Sequence, residues 1–153
     1  MPLKTNPWDV LGKSSFNTHV KEGDIDPRSA DNILIAWPPI LIAITKYFFK
    51  TKDIDVLDFG CGAGGFSIKL NKLGYKVVGV DSSTEMINTA KDHSPQSIKY
   101  ITGDASSIPQ NSIFQIIVSI MTLQFIDNLE KVFSSLINHL QSSGIFLIAD
   151  FNK

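Results

Sequence analysis

The residues of this chain whose types and spacing can do chemistry are three aspartates, each placed after an apolar run, and the glycines behind the first of them. Asp58 closes on Gly60, Gly62, Gly64 and Gly65, Asp81 ends the run Lys76 to Asp81, and Asp104 follows the run Ile98 to Thr102. Glycines at this density let the backbone turn with φ > 0 and let a ligand reach amide N–H groups that side chains would screen. Asp81 lies 21 residues beyond Gly60. An acid about 20 residues past a glycine turn is placed for ribose hydroxyls, because the intervening helix returns the chain to the carboxyl end of the neighbouring strand. Gly60, Gly62 and Gly65 also satisfy G-x-G-x-x-G, a weak sign of a dinucleotide site when it stands alone. Asp58 separates the ligand classes. A carboxylate on the Gly60 face of the strand end repels a pyrophosphate and suits an ammonium or a sulfonium.

The stretch Asp58-x-Gly60-x-Gly62-x-Gly64 resembles motif I of the class I S-adenosylmethionine-dependent methyltransferases, of the small-molecule type, and the resemblance runs from Asp53 to Phe151. It implies S-adenosylmethionine as cofactor, held by Asp58, Phe59, Gly60, Cys61, Gly62 and Gly64 on the loop and by Asp81 and Ser82 at the end of the second strand. It also implies Met86 against the adenine, with Asp104 accepting from the exocyclic amine and the Ala105 amide meeting a ring nitrogen. Thr122 and Gln124 fall where the family places groups beside the methionine end of the cofactor and the substrate. The implied reaction is in-line methyl transfer to an O, N, S or C nucleophile of a small-molecule acceptor, which needs chiefly positioning and exclusion of water. No catalytic residue is assignable. The family's common Phe-Asp at the start of the fourth strand reads Phe114-Gln115 here, far from the ligand mouth. Two other readings stay open: a non-catalytic or incomplete adenosyl-ligand-binding domain, and an NAD-dependent oxidoreductase.

Positioning these groups requires alternating strands and helices. Ile54 to Phe59 reads as a buried parallel strand. Phe66, Leu70 and Leu73 give the following helix an apolar face, with Gly74 as its stop. Ser82 and Glu85 predict a capping box for a helix carrying Met86, Ile87 and Ala90. Ile98 to Thr102 reads as an edge strand and Phe114 to Ile120 as a central one. Asp127 with Glu130 predicts the cap of an amphipathic helix bearing Leu129, Val132, Phe133, Leu136, Ile137 and Leu140, ended by Ser142-Ser143-Gly144. Ile145 to Ala149 closes the set. The expected fold is α/β, a doubly wound Rossmann-like parallel sheet in the order 3-2-1-4-5, formed by residues 53–153 as one domain with what precedes them. Residues 1–52 are expected to form a helical arm over the cofactor. Trp8, Phe16, Asn17, Thr18 and His19 are lid candidates, and Ser29 to Lys50 is a helical stretch broken at Pro38. Tyr47, Phe48 and Phe49 are expected in the core.

Composition narrows the partners. With 153 residues, 43% of them hydrophobic and 19% charged, the chain suits one compact domain. A net charge of −1 gives no electrostatic footprint for nucleic acid or an anionic membrane. The apolar run Ile33 to Ile44 is shorter than the ~20 residues of a membrane span and is interrupted by Pro38-Pro39. One cysteine, Cys61, and no recognisable leader predict a cytoplasmic protein; Cys61 itself reads as a loop filler. No metal-ligand cluster is visible, and His93 and His139 read as helix-terminal residues. Because the family adds two further strands after the fifth, a longer parent chain is expected, or a partner or second copy covering the fifth-strand edge.

Overall fold

The computed structural model describes residues 6–13, 31–48 and 53–151. Its centre is a five-stranded parallel sheet in the order β3-β2-β1-β4-β5, with β1 at Asp55–Phe59, β2 at Lys76–Asp81, β3 at Lys99–Thr102, β4 at Phe114–Ile120 and β5 at Leu140–Ala149. Helices α3 (Gly65–Lys72), α4 (Thr84–His93) and α5 (Leu129–Ile137) connect the strands, and α1 (Pro7–Lys13) and α2 (Trp37–Phe48) precede them. The expected doubly wound order is therefore realised. β1 sits between β2 and β4, with Leu57 opposite both Val78 and Ile117. A strand with neighbours on both sides and helices on both faces is predominantly apolar: Val56, Leu57 and Phe59 are all buried, and Asp58 is the buried polar exception.

Alternation along the strands divides the core. Val56, Ile116 and Val118 face Ile40 and Ile44 of α2 and Phe66 and Leu70 of α3. Leu57, Phe59, Val80 and Ile117 face the other way, onto Leu136 of α5. Each such side chain contributes about 1.5–3 kcal/mol of burial. Ahead of α2, Asp31–Ala36 forms a π-helical turn. The break expected at Pro38 is not found: the chain is helical from Asp31 to Phe48 and changes from π to α at Trp37, because Pro38 and Pro39 fall in the first turn of α2, where a missing N–H donor is tolerated.

Several local expectations are corrected. The cap of α4 is Ser83, whose Oγ accepts from the Met86 amide at 3.2 Å, and Ser82 is left free to face the arm. The cap of α5 is Asn128, whose Oδ1 accepts from the Lys131 amide at 2.9 Å, in place of Asp127. Leu140 leaves the helix and pairs with Phe114, so β5 begins there. An irregularity follows before Ile145 pairs with Ile116, and it absorbs the Ser142-Ser143-Gly144 stretch read as a helix stop. Gly144 suits that crossing, since a Cβ there would lie 2.8 Å from the Gln115 carbonyl oxygen. Leu73, Leu129, Ile137 and Tyr47 are exposed where an inward position was expected. Phe16, Asn17, Thr18, His19 and Phe49 lie outside the described residues. Among those described, no helix is long and apolar enough to cross a membrane.

Candidate functional site

The carboxyl ends of β1, β2 and β4 open into a cavity of about 1150 Å³. Asp58, Phe59, Gly60, Cys61 and Gly62 line it from β1 and the loop, Asp81, Ser82 and Met86 from β2 and α4, and Asp104 from the turn after β3. Gly64 and Ala105, also expected at the site, are not in its wall. Gly64 instead makes room for the Tyr100 hydroxyl, which a Cβ at that position would strike.

The loop is held from below by β2. Gly60 and Cys61 both donate to the Val80 carbonyl, at 2.7 and 3.0 Å. The Gly62 amide donates to Asp81 Oδ2 and the Ser83 amide to Asp81 Oδ1, each at 2.9 Å. Asp81 thus fastens the glycine loop to the start of α4. A carboxylate offers about four acceptor positions, so accepting capacity remains for ligand hydroxyls beside the Gly62 and Ser83 amides.

Asp58 is 2% exposed and accepts from Ser67 Oγ at 2.6 Å. Burial pushes its carboxyl up to about 6 against the pull of the Ser67 hydrogen bond, and the Asp81 charge adds to the rise. Burial also raises Asp81. The Cys61 thiol is driven well above its ordinary value by burial and by the Asp58 and Asp81 charges. That rise disfavours the thiolate, the form in which a cysteine acts as a nucleophile. Asp104 lines the cavity and also caps a turn: its Oδ1 accepts from the Ser106 amide at 2.8 Å, and the Ser106 hydrogen bonds hold its carboxyl below the usual range. His139 is buried and donates from Nδ1 to the Ser112 carbonyl at 2.8 Å, a structural position. No group of metal-ligating side chains occurs among the described residues.

Beyond β4, Thr122 and Gln124 reach the cavity as expected. Thr122 Oγ1 donates to the Ile120 carbonyl at 3.0 Å. Met121 between them has φ +52, a conformation that costs a side-chain-bearing residue energy and recurs at functional sites. Sequence reasoning did not single out Asp9, Ser67, Asn32 or Trp37. Asp9 on α1 accepts from Ser83 Oγ at 2.6 Å, and Asn6 Nδ2 donates to Ser82 Oγ at 3.3 Å. The arm is thereby fastened beside Asp81. Nothing local in the sequence marks these pairs, because their members lie more than 70 positions apart.

Comparison with known proteins bears directly on this geometry. Residues 57–148 match the methyltransferase domain family. The ubiquinone biosynthesis O-methyltransferase of Pelagibacter ubique is 30% identical over 160 residues, which cover 95% of this chain and 60% of that protein. That of Rickettsia canadensis is 24% identical over 144 residues, covering 92% and 61%. The chain thus spans about 60% of the length of these relatives. The fold of a putative S-adenosylmethionine-dependent methyltransferase from Methanococcus maripaludis superposes with a TM-score of 0.70 over 97% of this chain and 66% of that one, at 22% identity. The family match takes in more than half of the sequence, including the acid-and-glycine loop, Asp81 and Asp104, and this chain belongs to the methyltransferase domain family.

Proposed function

We propose that the cavity binds S-adenosylmethionine and that the protein to which this chain corresponds transfers its methyl group to an oxygen of a small-molecule acceptor. The observation that carries the reading is the charge of the wall. Asp31, Asp58, Asp81 and Asp104 line it, and no lysine, arginine or histidine does among the described residues. Such a wall suits a ligand with an ammonium and a sulfonium and disfavours the pyrophosphate of NAD. The names of the relatives favour oxygen as the acceptor atom. Bound S-adenosylmethionine supplies a methyl group already activated by its sulfonium charge. The chain's part is to hold reactants in line and keep water out. Asp81 would receive the ribose hydroxyls, the open space at Gly62 would allow close backbone approach, and Asp104 and Met86 would flank the adenine. A hydroxyl acceptor would take the methyl group on its oxygen and give up its proton, which would leave to bulk solvent as the site opens, with S-adenosylhomocysteine as the co-product. Calorimetry tests the reading: S-adenosylhomocysteine should bind and NAD should not, and tighter binding of NAD would overturn it.

Binding should be linked to the proton on Asp58. With a carboxyl at about 6 and a cationic ligand that prefers the anion, affinity should fall about tenfold from pH 7 to pH 5. In the free protein the sign for stability is opposite. The raised value means that the folded state holds the proton more tightly than the unfolded one. Its contribution is full below about 4, the unfolded value, and is lost as pH rises through about 6. Ser67→Ala removes the hydrogen bond that favours the anion and should move the break in affinity to higher pH. An affinity that is level across this range would remove the linkage.

The arm is proposed to close over the bound cofactor, supported by the Asp9–Ser83 and Asn6–Ser82 contacts and by Trp8 edge-on to Phe125 at 4.9 Å. Limited proteolysis should cut the segment around α1 (Pro7–Lys13) more slowly with S-adenosylhomocysteine present, and Asp9→Ala should erase much of that protection. Equal rates with and without ligand would leave the arm a packing role only.

A further inference from the structure

At about 1150 Å³ the cavity lies above the roughly 300–1,000 Å³ of clefts that drug-sized ligands fill, and part of its wall is aromatic. There two aromatic pairs frame it. Trp37 lies against Phe66 with ring centroids 5.2 Å apart, and Trp8 meets Phe125. Asn32, on the π-helical turn, also lines the cavity. Its Oδ1 is buried and has no hydrogen-bond partner among the described residues. The large majority of buried side-chain polar atoms are partnered, so an orphan in a ligand cavity calls for an explanation. Single π turns are frequent at functional sites, and this one places Asn32 one turn ahead of Trp37.

We propose that Asn32 is the specificity-determining residue of the acceptor subsite, its Oδ1 accepting a hydrogen bond from the hydroxyl of an aromatic acceptor seated between the Trp37–Phe66 and Trp8–Phe125 pairs. This rests on the methyl-transfer reading above. Three features of the wall select that chemistry. Aromatic side chains favour a planar ring, which they meet in offset or edge-on contact. An amide oxygen without a partner selects a ligand that donates, and it penalises one that cannot, because the oxygen then stays unpaired. Asp31, Asp58, Asp81 and Asp104 line the wall, and their carboxylates disfavour an acceptor that bears a carboxylate or phosphate of its own.

The test measures binding of 4-propylphenol and of its methyl ether, 4-propylanisole, to the full chain saturated with S-adenosylhomocysteine, followed by tryptophan fluorescence from Trp8 and Trp37. The parent should bind the phenol about five- to tenfold tighter than the ether, the range of one hydrogen bond. Asn32→Leu should bring the two affinities together while leaving that for S-adenosylhomocysteine unchanged, which also verifies that the variant is folded. Trp37→Leu should weaken both probes alike. A parent that binds neither probe, or that binds both equally, overturns the proposal, as does an Asn32→Leu protein that keeps the preference. Failure to bind S-adenosylhomocysteine would instead strike the reading on which the proposal rests.

Discussion

Asp81→Ala is expected to lower the affinity for S-adenosylhomocysteine by a hundredfold or more. Each charge-assisted hydrogen bond from a carboxylate to a ribose hydroxyl contributes about 1.5–3 kcal/mol, which is about tenfold or more in affinity per bond, and two hydroxyls are at stake. The structure adds a second reason. The same carboxylate accepts from the Gly62 and Ser83 amides, so its removal also releases the loop that the cofactor must meet. Asp81→Asn separates charge from shape and should still fail. Its side chain has one accepting oxygen and one donating nitrogen, whereas both fixed neighbours donate. Whichever way the amide turns, one donor faces another. Calorimetry on the two variants decides: an affinity within a factor of two of the parent in either would remove Asp81 from the cofactor site.

Most of the strands were legible as short apolar runs closed by glycine or acid. Phe114 to Ile120, apolar along its length, reads as a central strand, whereas the order of the strands in the sheet came from the family resemblance. The loop was legible because the φ of +79 and +83 found at Gly60 and Gly64 favour glycine over any side-chain-bearing residue. What stayed hidden was of two kinds. Cap identity turns on a single position: Ser82 and Ser83 are alike in the sequence, and only the path of the chain decides which hydroxyl reaches the Met86 amide. Side-chain pairs between distant segments were the other. Ser67 reads as an ordinary polar residue of an amphipathic helix, yet it is fully buried and donates to Asp58. The orphan oxygen of Asn32 depends on what surrounds it, which no local pattern records. Gly64 was assigned to the ligand on its motif position, but its space is taken by Tyr100 from β3.

That distinction among the glycines leads to the second large effect, a contrast between two substitutions that look equivalent in the sequence. At Gly60 a Cβ would fall within the side chain of Thr122, 2.6 Å from its Cβ, and φ is +79. At Gly62, φ is +52 and a Cβ would meet nothing within 4 Å. Both alanines bear the left-handed strain of about 1–2 kcal/mol, and Gly60→Ala adds an overpacking cost of about 1–3 kcal/mol. Gly60→Ala should therefore lower the melting temperature by about 10 °C, and Gly62→Ala by about 3–4 °C. Binding should separate from stability. The new methyl of Gly62→Ala stands in the space proposed for the cofactor, so affinity for S-adenosylhomocysteine should drop by about two orders of magnitude in a protein that is still folded. Thr122→Gly in the Gly60→Ala background removes the clash and leaves the strain, so it should recover roughly half of the lost stability. Thermal melts with and without S-adenosylhomocysteine read both quantities at once. Gly62→Ala with parental affinity would show that the ligand does not approach the loop at that residue, and the backbone-contact part of the proposed binding mode would then be withdrawn.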